Sequence, residues 1–165
     1  MKKIYYSWSD VEGACLDIAR QISISNWRPD YIVGITRGGA IPAVLLSQYM
    51  ETPMRPLQVS LRDGGECVSD LGVAEDAYDG KNILIVDDIN DQGSTIAWIK
   101  QDWPSGCHPS AIRWPDVWGS NVRFATLTNN IASKETVDYS VWEVNKAEED
   151  CWLVYPWEEF WKNDN

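Results

Sequence analysis

With 165 residues the chain is long enough to bury one core without disulfides or metal staples, and a single unit spanning residues 1–165 is expected. A formal net charge of −11 argues against nucleic acid or an anionic membrane surface as partner, since both select clustered Lys and Arg. It also sets a condition on any phosphate-bearing ligand: backbone N–H groups, a helix N-terminus or a divalent cation must hold it, because side-chain cations are few.

Cys15, Cys67, Cys107 and Cys151 form no CxxC pair and His108 is the single histidine, so neither a zinc nor an iron–sulfur centre is expected. Free thiols fit a reduced, cytoplasmic setting. No apolar run has the length of a membrane span, and Met-Lys-Lys is followed by Tyr-Tyr-Ser-Trp-Ser-Asp rather than by the apolar stretch of a signal peptide.

Ser9-Asp-Val-Glu12 has capping-box spacing, and Val11, Cys15, Ile18 and Ile22 recur at helical intervals, which predicts a first helix to about Ile24. Trp27 to Asp30 breaks it. Tyr31 to Ile35 reads as a strand, Thr36-Arg-Gly-Gly39 as a loop, and the run containing Pro42 as a helix. Leu57, Val59 and Leu61 alternate with polar residues as a further element. Residues 62–80 are polar and acidic without periodicity, which predicts a mobile loop or hairpin. Ile83 to Val86 is an uninterrupted apolar strand, followed by an acidic cluster, Gly93 and a helix from Thr95 to Trp103 stopped by Pro104. After an irregular stretch from Pro104 to Ser120, strands are expected at Val122, Phe124 and Leu127 and at Tyr139 to Trp142, with a last ordered segment at Trp152 to Trp157. Most of the ten tryptophans are expected to pack in or on the core. Strands alternating with helices predict an α/β fold, a mainly parallel sheet flanked by helices with its ligand site beyond the C-terminal strand ends.

Asp87 and Asp88 fall at such a strand end. An acidic pair there also serves receiver domains and metal-dependent phosphatases, but Asp91, Gly93, Ser94 and Thr95 follow at once. They form a tight loop into a helix N-terminus, where N–H groups and small hydroxyls can wrap a phosphate monoester. Carboxylates accept hydrogen bonds from vicinal diols, and one can also bind Mg²⁺, so a ribose 5-phosphate matches the order of these groups along the chain.

The stretch ILIVDDINDQGST, Ile83 to Thr95, resembles the PRPP-binding signature of type I phosphoribosyltransferases. GITRGGAIPA, Gly34 to Ala43, is similar to the family's pyrophosphate loop, in which main-chain N–H groups around Arg37, Gly38 and Gly39 approach the diphosphate. Glycines there permit close approach and unusual backbone, a non-proline cis peptide included. Cys151 to Glu158, CWLVYPWE, resembles the ending of short xanthine, guanine and hypoxanthine phosphoribosyltransferases, as Ser7-Trp-Ser-Asp10 resembles their start.

The resemblance implies a purine phosphoribosyltransferase that makes a nucleoside 5′-monophosphate and pyrophosphate from PRPP and a 6-oxopurine, with Mg²⁺ as cofactor. It implies Asp87 and Asp88 on the ribose hydroxyls, Asp88 on the metal, and Asp91 as catalytic proton acceptor. Gln92, Gly93, Ser94 and Thr95 would take the 5-phosphate, and Asn129, Trp152 and Leu153 the base. Gln92 stands where the family usually has Thr, and Asn129 where the short enzymes have Lys, with Lys134 five residues on. The loop after Leu61 corresponds to a flexible hood whose cation is Arg62, among Asp63, Glu66, Asp70, Glu75 and Asp76. The resembled enzymes are dimers or tetramers, so a homo-oligomer is expected. The rival reading is a regulatory protein that binds PRPP or a nucleotide without turnover.

Overall fold

The computed structural model describes residues 1–61 and 65–162. The two apolar runs become the central strands of an all-parallel sheet. In chain order the elements are β1 (Lys2–Tyr5), α1 (Trp8–Ile24), β2 (Tyr31–Thr36), α2 (Ala40–Met50), β3 (Met54–Gln58), α3 (Leu71–Tyr78) and β4 (Ile83–Asn90). They continue with α4 (Ser94–Gly106), β5 (Val122–Asn130), β6 (Tyr139–Val144) and β7 (Cys151–Val154). The sheet has the order β3-β2-β4-β5-β6.

Both faces of the sheet are covered, which is why the runs 31–35 in β2 and 83–86 in β4 do not alternate with polar residues. Tyr31, Val33 and Ile35 of β2, with Ile83 and Ile85 of β4, enter a core closed by α3, α4 and the stretch around Trp114. Ile32, Leu84 and Val86 point the other way, against α1 and α2. The expected α/β fold with a parallel sheet is what forms.

Several local expectations need correction. The capping box closes at Ser7 and Asp10, not at Ser9 and Glu12: the Asp10 N–H donates to Ser7 Oγ at 3.0 Å and the Ser7 N–H to Asp10 Oδ2 at 2.8 Å. Ser9 therefore lies inside the first turn. Residues 65–80 hold a helix as well as a hairpin arm. Val59 bridges Cys67 antiparallel, and Asp70 then caps α3 by accepting from the Val73 N–H at 3.1 Å. The helix escapes a periodicity search because its buried side is small, Val73, Ala74 and Ala77, while Leu71, Gly72, Glu75, Asp76 and Tyr78 give the rest no regular apolar pattern.

Pro104 does not stop α4, which runs on to Gly106. Its missing N–H costs one bond in the last turn, where the preceding Trp103 is buried. The irregular stretch after it carries Trp114 and Trp118, which stack at 5.8 Å, with Trp103 5.8 Å from Trp118. These tryptophans pack as core, as expected.

A second, two-stranded parallel sheet pairs β1 with β7, setting Lys3 opposite Trp152 and Ile4 opposite Leu153. Neither β1 nor this pairing is apparent from local sequence. Among the described residues no helix is long and apolar enough to cross a membrane.

Candidate active site

The cleft, of about 1230 Å³, opens beyond the C-terminal ends of β2 and β4, with β7 and the segment after it on the opposite side. At the end of β2 the Thr36–Arg37 peptide bond is cis. Gly39 then packs so tightly against β4 that a Cβ would lie 2.2 Å from the Val86 carbonyl oxygen and 2.8 Å from Asp87 Cα. Gly38 sits against the Asp88 carboxylate. The glycine loop and the acidic strand end are thus in direct contact, with Arg37 exposed into the cleft.

At the end of β4 the two carboxylates fold back onto the main chain. The Asp88 N–H donates to Asp87 Oδ1 at 2.9 Å and the Ile89 N–H to Asp88 Oδ1 at 2.7 Å. Behind it the buried Tyr155 hydroxyl bonds the Asp88 carbonyl at 3.1 Å and Thr128 Oγ1 at 2.9 Å, which fixes the height of Asp88 over the sheet. Burial, with the charges of Asp88 and Asp87 nearby, pushes the Tyr155 phenol well up, so it acts as a neutral donor. Gly93, at φ 87°, turns the chain into α4 and brings Ser94 and Thr95 onto its first turn. Their N–H groups belong to a helix start and have no carbonyl partner within the helix, which suits an anion.

From the other wall come Trp152 and Leu153 of β7. Trp152 is 42% exposed, an indole left open although the strand residues on either side are buried. Lys146 approaches its ring, with Nζ 5.9 Å from the centroid, and pairs with Asp91 Oδ1 at 3.1 Å. A column of stacked rings, Trp142–Tyr6–Tyr155–Trp157, spaced 4.0, 5.5 and 5.1 Å, supports this wall. Glu158 follows. Burial, then the negative charge of Asp88, pushes its carboxyl above the usual glutamate range.

Arg37, Gly38, Asp87, Asp88, Asp91, Gln92, Gly93, Ser94, Thr95, Trp152 and Leu153 all line this one cleft. Two residues expected at the ligand do not. Gly39 lies beneath the loop as a packing position. Asn129, expected at the base, is not among the lining residues, because its amide oxygen accepts from Asn90 Nδ2 at 2.9 Å and ties β5 to β4. Lys134 is exposed and outside the cleft. Arg62 and Asp63 of the hood lie outside the described residues. Sequence reasoning missed Lys146, Tyr155 and Glu158 as cleft residues, and Asn130 behind them. Only Glu158 had a signal, as the acid closing the Cys151–Glu158 motif.

A divalent ion held mainly by substrate oxygens fits this donor set. Among the described residues no group of three or more acidic, His or Cys side chains forms a metal cage, whereas Asp88, with Glu158 near enough to feel its charge, offers what Mg²⁺ takes beside phosphates.

Residues 2–159 match the phosphoribosyl transferase domain model. The chain belongs to that family. As a phosphoribosyltransferase it is 28% identical to the hypoxanthine-guanine phosphoribosyltransferase of Schizosaccharomyces pombe, over 94% of this chain and 89% of the relative. It is 25% identical to the xanthine-guanine phosphoribosyltransferase of Idiomarina loihiensis, over 95% and 88%. Among solved structures, a purine phosphoribosyltransferase from Pyrococcus horikoshii is 28% identical, with a TM-score of 0.69 and 97% of both chains covered.

Proposed function

We propose that this phosphoribosyltransferase joins a 6-oxopurine to PRPP, releasing pyrophosphate and forming a nucleoside 5′-monophosphate for purine salvage. One observation carries the reading. A helix-start phosphate loop, an acidic pair and an exposed indole face one another across a single cleft, matching phosphate, ribose and base in turn. The names of the relatives in yeast and bacteria agree with it.

The N–H groups and hydroxyls of Gly93 to Thr95 hold the 5-phosphate at the positive end of α4, with Gln92 at its edge. Asp87 and Asp88 accept from the ribose hydroxyls. Arg37 and the loop N–H groups at Gly38 take the diphosphate. The base stacks on Trp152, a contact worth roughly 1–3 kcal/mol, with Leu153 at its edge.

A purine ring nitrogen then forms a bond to C1 of the ribose as the C1–O bond to diphosphate breaks, and the proton displaced from the purine passes to Asp91. Positive charge develops on the sugar in this step, so the carboxylates around the ribose stabilise it. This is how an acidic protein suits an anionic substrate. Asp88, together with substrate oxygens, would hold Mg²⁺, which would supply charge neutralisation for the leaving diphosphate.

Pyrophosphate release with PRPP, Mg²⁺ and each of guanine, xanthine, hypoxanthine, adenine, uracil and orotate tests the proposal. Turnover is expected with at least one 6-oxopurine. Binding of PRPP without release for any base sinks the enzyme reading and leaves the regulatory one.

A further inference from the structure

We infer that Tyr155 is a positioning residue: its hydroxyl registers the base wall against the ribose carboxylates and thereby sets the rate of transfer. The inference rests on purine transfer in this cleft, and it concerns the alignment of the two substrates rather than the choice of base.

The two walls of the cleft belong to different sheets. Trp152 and Leu153 lie on β7, in the β1–β7 ribbon, whereas Asp87 and Asp88 lie near the end of β4 in the five-stranded sheet, and among the described residues no ladder joins the two. Leu153 packs into the core it shares with Leu84, Val86 and Leu127, which holds the ribbon down, but apolar contacts have no preferred direction. β4 is itself less supported here, because its ladder with β2 ends at Gly34 and Val86 while that with β5 continues past Asp88.

Tyr155 crosses this gap. It follows β7 directly, two residues after Leu153, and the buried side chain meets the Asp88 carbonyl at 3.1 Å and Thr128 Oγ1 at 2.9 Å. A phenol has one proton and a carbonyl oxygen can only accept, so with both bonds made the proton goes to Asp88 and the Thr128 hydroxyl donates to the phenol oxygen. Thr128 is fully buried on β5, paired with Ile89 on one side and Trp142 on the other, so this chain of bonds is anchored inside the main sheet. The rings of Tyr6 and Trp157 stack on Tyr155 at 5.5 and 5.1 Å and fix its plane. Packing does not fix its place within that plane, because a hollow of about 340 Å³, lined also by Tyr5, Tyr6, Ser7 and Asp10, lies beside it. The hydroxyl does.

Bond formation needs the purine nitrogen and C1 of the ribose at a set distance and angle, and a misplacement of about 1 Å can slow such a step about 100-fold. The ribose and its phosphate are held by one continuous segment, residues 87–95, which carries the carboxylates and the phosphate loop together. A ligand that touches this segment alone follows it when it shifts. A ligand or transition state that spans both walls cannot, so loss of the phenol hydroxyl is felt where base and ribose must be held in one geometry.

The test compares wild type with Tyr155→Phe, Thr128→Val, Thr128→Ser and, as a control outside the cleft, Tyr31→Phe, which deletes a phenol hydroxyl bonded to Asp76 at 2.8 Å. Two sets of quantities are read for each: kcat and the KM for PRPP with hypoxanthine as base, and equilibrium binding of IMP, which spans both walls, and of ribose 5-phosphate, which touches one. In Tyr155→Phe kcat should fall roughly 10- to 100-fold with the KM for PRPP held within about twofold. IMP binding should weaken about 10-fold while ribose 5-phosphate holds within about twofold. Thr128→Val should show the same split, and Thr128→Ser, which keeps the hydroxyl, should not. Tyr31→Phe should lower the melting temperature without the split. Wild-type kcat in Tyr155→Phe, IMP and ribose 5-phosphate weakened in proportion, or the same split in Tyr31→Phe overturns the assignment. Should Tyr155→Phe fail to fold, the Thr128 pair decides: a split in the Val variant that Ser restores supports positioning, and no difference between them overturns it. If wild type turns over no purine, the proposed function fails separately, and the binding split still decides: present in Tyr155→Phe it supports Tyr155, and absent there, or with no IMP binding in wild type, it overturns it.

Discussion

At Gly39 there is no room for a methyl group, since a Cβ would stand 2.2 Å from the Val86 carbonyl oxygen and neither backbone can yield. Gly39→Ala should therefore lower stability by about 1–3 kcal/mol and weaken PRPP binding with it, read by thermal unfolding and by calorimetric titration. An unchanged melting temperature would refute the packing role. The need for close approach was legible in Arg37-Gly-Gly39, but its object was not, because the end of β4 is far away in sequence. Asn129 differs: linear alignment puts it at the base, whereas its amide is bonded to Asn90, and Lys146 lines the cleft from a loop with no local motif to announce it.

Glu158 carries a pH signature. Its carboxyl is raised by burial and by Asp88, so it contributes stability that is fully present below the ordinary glutamate range and is lost as pH rises through the raised value. At neutral pH wild type bears the cost of a partly desolvated carboxylate. Glu158→Gln should melt higher than wild type near about pH 7, with the gain vanishing near about pH 4. A variant that melts lower at neutral pH would show that the carboxylate has a compensating partner.

At the scale of elements, the loop at Gly93 that leads into α4 is braced from behind by the β5–β6 loop. The Lys100 ammonium on α4 meets Glu135 at 2.9 Å, and Asn90 Nδ2 donates to the Glu135 carbonyl at 2.8 Å. Glu135 also crowds Gly93, where φ 87° already excludes most side chains. Lys100→Met should cost about 1 kcal/mol of stability, the ceiling for a partly exposed pair, and raise the KM for PRPP severalfold. No change in that KM would mean that the loop keeps its shape without the brace.

The strand–loop–helix units at β2 and β4 were legible because burial on both faces leaves continuous apolar runs, and the glycines that follow mark the turns. β1 was not, because its pairing is with β7 at the other end of the chain. α3 and the last turn of α4 were missed where local rules gave way to packing, small buried residues in one and Pro104 beside a buried Trp103 in the other.

At the scale of the molecule, a net charge of −11 surrounds a cleft meant for an anion. If helix N–H groups and the metal rather than a field of lysines hold PRPP, salt should not weaken it. Raising KCl from about 20 to about 200 mM shortens the screening length severalfold, so the KM for PRPP should stay level or fall. A severalfold rise would point to attraction by unassigned surface cations.

In the proposed reaction the labour is divided, Asp91 moving the proton while its neighbours bind the phosphoribosyl group. Steady-state kcat and equilibrium PRPP binding for Asp91→Asn, measured side by side with wild type, test it most directly. In Asp91→Asn kcat should fall by about 100-fold or more while PRPP affinity holds within about threefold. Unchanged turnover, or PRPP binding lost in step with kcat, would contradict it.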